Sequence, residues 1–134
     1  MRVEKKQQLA RRRHWRVRRK VRGTAERPRM AVRFTNQNIH VQFIDDTRGV
    51  TLAAVSTTSK SVPNRDQLTA NVKSAGVVGQ LAAQAALAKG IQSVVFDRGG
   101  ARYHWSPAKG KEGQPVYGKV AALAMAAREA GLKF

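Results

Sequence analysis

The sequence of 134 residues contains no cysteine. Disulfide bonds, cysteine-bound zinc and thiol nucleophiles are therefore excluded. No uninterrupted apolar run approaches the length of a membrane span, and no apolar signal-peptide stretch follows the basic N-terminus. We expect no membrane partner and a chain built around one core. A transit peptide is a weaker interpretation of residues 1–22, because this segment is rich in arginine but lacks serine.

Acidic residues are scarce as well. Lysine and arginine number 26 against 8 aspartates and glutamates, which gives a formal net charge of +18. Residues 1–22 contain eleven basic side chains and one acidic one, Glu4, so this segment carries more than half of the excess charge. Because the remainder of the chain is also basic, we expect both parts to face the phosphates of a nucleic acid.

The densest basic segment is residues 11–22, with the sequence RRRHWRVRRKVR. On a helix, Leu9, Val17 and Val21 form its one apolar line, so the segment has no broad face to bury in a core. Charges this dense repel one another unless a polyanion neutralises them, whereas a merely solvated face normally mixes both signs. We predict a helix from about Lys5 that is fully ordered only on its partner. Its candidate nucleic-acid contacts are Arg11, Arg12, Arg13, Trp15, Arg16, Arg18, Arg19, Lys20 and Arg22.

Residues 23–28 contain glycine and proline and are predicted to be a linker, so that a basic arm and linker span 1–28 and one domain spans 29–134. From residue 30 the apolar residues recur with a period of two. This period predicts a hairpin of strands 30–34 and 39–44, followed by a turn at 45–49 and a third strand at 50–57.

A long helix is predicted over residues 66–89, capped by Asp66 and ended by Gly90. Its apolar face consists of small residues, and we interpret Gly76 and Gly79 as sites of close backbone approach, since each glycine costs about 1 kcal/mol of helix propensity. Residues 91–96 form a fourth strand, and a right-handed crossover gives the strand order 3-2-1-4. With a final helix over 118–130, the fold class is α/β, a mixed four-stranded sheet with two packed helices and a basic N-terminal arm.

Several segments resemble the bacterial large-subunit ribosomal protein eighteen family, which binds 5S ribosomal RNA. They are NIHVQFI, IDDTRG, TLAAVST, NVKSAGVVGQLAAQAALAKGI, KGIQSVVFDRGG, the pair YH, and GKVAALAMAAREAGLKF. The resemblance covers nearly all of residues 29–134. It implies a mixed sheet with packed helices and a structural constituent that attaches 5S rRNA to 23S rRNA in the central protuberance. It further implies no enzymatic activity, no cofactor or metal and no small-molecule substrate. Neighbouring large-subunit proteins are possible further partners, and the implied location is a cytoplasmic or organellar ribosome.

The sequence departs from the family pattern at identifiable positions. Asn38 and His40 stand where the family usually has histidine and tyrosine, and Ala101 replaces the usual tyrosine after FDRGG. Residues 105–117, WSPAKGKEGQPVY, are an addition to that pattern, which we predict to be an outward loop with its ends packed as a stem. A loop without a partner is the alternative. The candidate RNA contacts of the domain are Arg33, Thr35, Asn36, His40, Gln42, Thr57, Arg98, Tyr103, His104 and Lys119.

Two functions other than RNA binding are alternatives for this sequence. An enzyme would have to use the three histidines and Asp97, but no metal-ligand spacing or carboxylate pair accompanies them. Asp97 is more simply a turn residue or a partner for Arg98. The second alternative is a general basic protein that compacts or shapes nucleic acid, because the charge alone does not distinguish DNA from RNA.

Overall fold

The computed structural model describes residues 1–106 and 115–134 of the chain. These residues form three helices and six strands, and a 3₁₀ turn at Arg65–Gln67 lies between the third strand and the second helix. The elements are α1 (Val3–Lys20), β1 (Arg29–Phe34), β2 (Ile39–Asp45), β3 (Val50–Ser56), α2 (Val72–Ala88), β4 (Val95–Asp97), β5 (Trp105–Ser106), β6 (Val116–Tyr117) and α3 (Lys119–Glu129).

The first four strands form one mixed sheet in the order β3-β2-β1-β4. β1 pairs antiparallel with β2, β2 pairs antiparallel with β3, and β4 joins β1 in parallel. The predicted fold class and strand order are therefore confirmed. The handedness of the crossover through α2 decides this order, since it carries β4 past β2 to the far side of β1.

One face of the sheet is covered by helices and the other is open. Met30, Ile39, Val41 and Phe43 have almost no exposed surface, and α2 and α3 cover this face. The side chains that alternate with them, such as Gln42, lie on the opposite face, because successive residues of a strand point to opposite sides. The period of two seen in the sequence thus separates the core from the uncovered face of the sheet.

The two covering helices pack closely through small residues. A Cβ atom at Gly79 of α2 would lie 2.3 Å from the carbonyl oxygen of Leu123 in α3, so only glycine fits there. The interpretation of Gly79 as a site of close approach is confirmed. The same interpretation of Gly76 is wrong, because a Cβ atom there meets nothing within 4 Å.

The start of α2 differs from the prediction. The helix begins at Val72 with Asn71 as its cap, and the Asn71 side chain accepts a hydrogen bond of 2.8 Å from the Ser74 N–H. Asp66 lies instead in the 3₁₀ turn. The residues around this turn contribute Val62 and Ala70 to the core, which keeps the chain out of helical geometry until Asn71.

The fourth strand is shorter than predicted because its first half has another partner. Val94 donates its N–H to the Lys133 carbonyl at 3.0 Å, and Ser93 forms a parallel bridge with Lys133. The C-terminal residue Phe134 stacks on Phe96, with ring centroids 5.3 Å apart. Residues 92–94 therefore pair with Lys133, and β4 joins the sheet from Val95 onward.

The ends of the segment 105–117 pair as the predicted stem. Trp105 lies opposite Tyr117 and Ser106 opposite Val116 in a two-stranded antiparallel ribbon. The Gly118 N–H closes it with a hydrogen bond of 2.8 Å to the His104 carbonyl. The middle of the predicted loop, residues 107–114, lies outside the described residues.

Candidate nucleic-acid interface

The arm predicted from the sequence is a helix without a buried residue. α1 runs from Val3 to Lys20, and no residue in it is buried. Trp15 keeps 60 % of its surface exposed. The basic side chains Arg11, Arg12, Arg13, Arg16, Arg19 and Lys20 are exposed as well. A helix with cations on all sides presents charge to several directions at once, which suits a phosphate backbone better than a packed protein surface.

Asp46, in the turn after β2, joins the arm to the sheet. Its two carboxylate oxygens each accept a hydrogen bond of 3.2 Å from the two terminal nitrogens of Arg18. One oxygen also accepts from the Gly23 N–H at 2.8 Å. Arg29 of β1 donates to both oxygens at 3.0 and 3.2 Å, and donates further to Asp97 at 2.8 Å. We call these five residues the junction network.

The junction network is held in its charged form. Burial alone would raise the pKa of Asp46, but hydrogen bonds from Arg29, the Gly23 N–H and Arg18 outweigh that cost and hold this pKa well below its ordinary value of 3.8. Burial would lower the pKa of Arg29, and its bonds to Asp46 and Asp97 reverse the direction and raise it. Both carboxylate and guanidinium therefore remain charged at neutral pH.

The linker leaves no room for a side chain at Gly23. A Cβ atom there would lie 2.3 Å from the backbone nitrogen of Arg29 and 2.4 Å from the Ile44 carbonyl oxygen. The Asp46 N–H donates in turn to the Gly23 carbonyl at 3.1 Å. Backbone and carboxylate contacts thus place the linker directly against the sheet.

An open cleft lies between α1, the uncovered face of the sheet and the turn after β4. Its volume is about 1010 Å³. Arg11 and His14 approach from α1, Arg33 from β1, and Arg98 from the turn. The structure therefore brings together basic residues that the sequence places far apart. The floor includes Ala31, Gln42 and Ile44.

The predicted contacts in the first hairpin and after β3 fall into two groups. The first group consists of Thr35 and Thr57, whose hydroxyls bond within the protein. Thr35 bonds to Asn38 across the turn but is itself exposed, whereas Thr57, which is 3 % exposed, accepts from the Ile39 N–H at 3.2 Å. Thr57 is therefore not placed to touch a ligand. The second group consists of Arg33, Asn36 and Gln42, which are exposed, and His40, which is half-buried with its Nδ1 2.8 Å from the Ser56 hydroxyl.

The turn after β4 is organised by Asp97. This carboxylate is 1 % exposed and accepts hydrogen bonds from Arg29 and from the Gly99 N–H. Of the two roles predicted for Asp97, the turn role is confirmed, and the pairing partner is Arg29 where Arg98 was expected. Arg98 instead donates to the Ala101 carbonyl at 3.0 Å and is exposed.

The remaining predicted contacts lie next to the ribbon. Tyr103 and Trp105 expose 40 % and 51 % of their surfaces. His104 and Lys119 are exposed too. These planar and basic groups lie in or next to the ribbon of β5 and β6.

Sequence reasoning missed the junction network. Arg29 and Asp46 were not among the candidate residues, and Arg18 was placed among the phosphate ligands. The available signal was the acidic pair Asp45 and Asp46 in a chain with few acids. Asp45 serves the turn: it accepts from the Thr47 hydroxyl and N–H, which lowers the pKa of the Asp45 carboxyl against the effect of burial.

Two features of other functional classes are absent from the described residues. Within residues 1–106 and 115–134, no three histidine, aspartate or glutamate side chains come together as a group that could hold a metal ion. No helix in the same part of the chain is both long enough and apolar enough to cross a bilayer.

Comparison with known proteins gives one consistent result. The family described as ribosomal L18 of archaea, bacteria, mitochondria and chloroplasts matches residues 4–134. Large ribosomal subunit protein uL18c of Cyanophora paradoxa is 51 % identical over 96 % of this chain and 97 % of its own length. The uL18 proteins of Petrotoga mobilis and Microcystis aeruginosa are 47 % and 48 % identical, over 96 % and 100 % of this chain and 95 % and 100 % of their own lengths. The chain therefore belongs to the ribosomal L18 family.

Proposed function

We propose that this protein is a structural constituent of the large ribosomal subunit that binds 5S rRNA and helps to attach it to 23S rRNA in the central protuberance. Family membership supports the ribosomal assignment. The observation that carries the RNA assignment is the helix α1, which is basic, unburied and fixed beside the basic cleft of the sheet. Neighbouring large-subunit proteins are further candidate partners.

The two parts of the chain have different tasks in this proposal. Residues 1–28 supply affinity, because arginine–phosphate contacts are strong but carry little sequence information. Residues 29–134 supply the preference for 5S rRNA through side chains that reach bases and riboses. The proposed arm contacts are Arg11, Arg12, Arg13, Trp15, Arg16, Arg19, Lys20 and Arg22, and the proposed domain contacts are Arg33, Thr35, Asn36, His40, Gln42, Arg98, Tyr103, His104 and Lys119.

A competition experiment tests this assignment. Labelled 5S rRNA is bound by the full chain and challenged with unlabelled 5S rRNA, fragments of 23S rRNA and duplex DNA of equal nucleotide concentration. We expect 5S rRNA to compete best and duplex DNA worst. Equal competition by duplex DNA would instead support the alternative, a basic protein that compacts nucleic acid without regard to its structure.

The same proposal assigns no catalytic step to the protein. His40 has one ring nitrogen engaged by Ser56, and Asp97 is committed to Arg29 and Gly99, so neither is arranged as a free general base. We expect labelled 5S rRNA to remain intact after prolonged incubation with the pure protein, as judged on a denaturing gel. Cleavage that is lost in His104→Ala would overturn this part of the proposal.

The location follows from the family, since its members are ribosomal proteins. One similar protein, uL18c of Cyanophora paradoxa, carries the suffix used for chloroplast members. Both a bacterial-type and an organellar ribosome are compatible with the sequence, and the proposal is the same for either.

A further inference from the structure

Trp105, on the ribbon of β5 and β6, is a large aromatic side chain that the fold leaves uncovered. It exposes 51 % of its surface, and Tyr103, two residues earlier, exposes 40 %. Aromatic rings elsewhere in the domain have partners, since Phe96 stacks on Phe134 and the Arg128 guanidinium lies 4.5 Å from the centre of the Phe134 ring. Within the part of the chain that the structure describes, Trp105 has no such ring partner.

The ribbon holds this ring on paired backbone. Trp105 lies opposite Tyr117, so the two side chains are on the same face of the ribbon. The hydrogen bond from the Gly118 N–H to the His104 carbonyl joins the base of the ribbon to the start of α3, whose first residue is Lys119. A ring carried in this way loses less conformational freedom on binding than a ring on an unpaired loop.

The surroundings of the ring are basic. Arg102, Tyr103, His104 and Trp105 are consecutive and all exposed, so cationic and planar groups alternate. Residues 98–106 and 115–119 include no aspartate or glutamate. The centres of protein–protein interfaces are depleted of charged residues. RNA recognition, in contrast, combines cations for the backbone with aromatic faces for the bases. The alternation therefore favours an RNA partner over a protein partner.

We propose that Trp105, with Tyr117 on the same face of the ribbon, stacks on an unpaired base of ribosomal RNA. An unpaired base is needed because the bases of a duplex are stacked on one another and do not offer their faces. Any of the four bases satisfies the site, since each has an aromatic face. This inference rests on the proposed function and adds to it a contact that carries no charge.

The first test uses the fluorescence of Trp105. The chain contains two tryptophans, so Trp15→Phe leaves Trp105 as the only one. This full-length variant is titrated with 5S rRNA, with 23S rRNA and with a long double-stranded RNA. Because stacking on a base quenches indole fluorescence, we expect strong quenching by the rRNA that supplies the base and little by the duplex. Absence of quenching by both rRNAs, or equal quenching by the duplex, overturns the proposal.

The second test measures affinity for the rRNA that quenches Trp105. Trp105→Ala should bind it about 5- to 150-fold more weakly, the range for loss of one stacked base. The salt slope should remain that of the parent, because tryptophan carries no charge. Trp105→Phe keeps a ring and should retain most of the affinity. Val116→Ala is the matched control, since Val116 is exposed but is paired with Ser106, on the other face of the ribbon. Parent-like affinity in Trp105→Ala, or an equal loss in Val116→Ala, overturns the proposal.

Two controls separate this inference from folding and from the proposed function. Thermal unfolding of Trp105→Ala should match that of the parent, because the side chain is largely exposed. If this variant fails to fold, the quenching measurement still decides, since it retains Trp105. Failure of the parent chain to prefer 5S rRNA over duplex DNA would refute the proposed function, whereas an unquenched Trp105 in a chain that does prefer 5S rRNA would refute the stacking contact alone.

Discussion

Gly79→Ala is expected to force the two covering helices apart. An added Cβ atom would lie 2.3 Å from the Leu123 carbonyl oxygen and 3.1 Å from two further backbone atoms of Leu123. These are backbone atoms, so no side-chain rotation relieves the contact. Either α2 or α3 must move, and the core beneath them, which includes Val78, must repack.

The size of the effect follows from two opposing terms. Overpacking a core costs about 1–3 kcal/mol, and we place Gly79→Ala near about 3 kcal/mol because the clash is with backbone. The better helix propensity of alanine returns about 1 kcal/mol. The free energy of unfolding should therefore fall by about 2 kcal/mol, which corresponds to a decrease in Tm of roughly 8 °C for a chain of this length.

Gly76→Ala is the matched control, since it makes the same chemical change in the same helix. A Cβ atom at Gly76 meets nothing within 4 Å, so the propensity term acts alone and should stabilise the protein by about 0.5–1 kcal/mol. Urea and thermal unfolding followed by circular dichroism would measure both variants. A Gly79→Ala protein as stable as the parent would refute the close approach of the two helices.

Two further predictions concern the junction and the ribbon. Because the pKa of Asp46 is lowered in the folded protein, its contribution to stability is present above the ordinary value of 3.8 and is lost as pH falls below it. Urea unfolding at a series of pH values measures the difference in unfolding free energy between the parent and Asp46→Asn. This difference should be constant near neutral pH and should become smaller below about pH 4. A constant difference down to about pH 2 would contradict the lowered pKa. Deleting residues 106–116 should leave the unfolding transition of the domain intact, because the entropic cost of closing a loop depends only weakly on its length. The same deletion should weaken incorporation into large subunits. Loss of folding would show that this segment belongs to the core.

The strand order could be predicted because it depends on local period and on general handedness. The alternation around Val32 and Val41 identifies the hairpin, and a helix between parallel strands has one preferred crossover. The start of α2 was predicted wrongly because Asp66 and Asn71 are both good caps. Packing of Val62 into the core, which sequence pattern does not reveal, favours the later one.

The junction network could not be predicted for a different reason. Arg18 and Asp46 are 28 residues apart, Arg29 and Asp46 17 residues apart, and Arg29 and Asp97 68 residues apart. Composition shows which charges exist but not which of them meet. The basic arm was recognisable from its sequence. Which of its arginines are exposed, and that Arg18 pairs with Asp46, depends on the fold.

The salt dependence of 5S rRNA binding tests the central claim most directly. The apparent association constant is measured against salt concentration for the full chain and for a chain that lacks residues 1–22, with a 23S rRNA fragment as the competitor. Each phosphate contact contributes about 0.7–0.9 to the logarithmic salt slope, so removal of an arm with several contacts should flatten it by several times that amount while the preference for 5S rRNA remains. An unchanged slope would contradict the account.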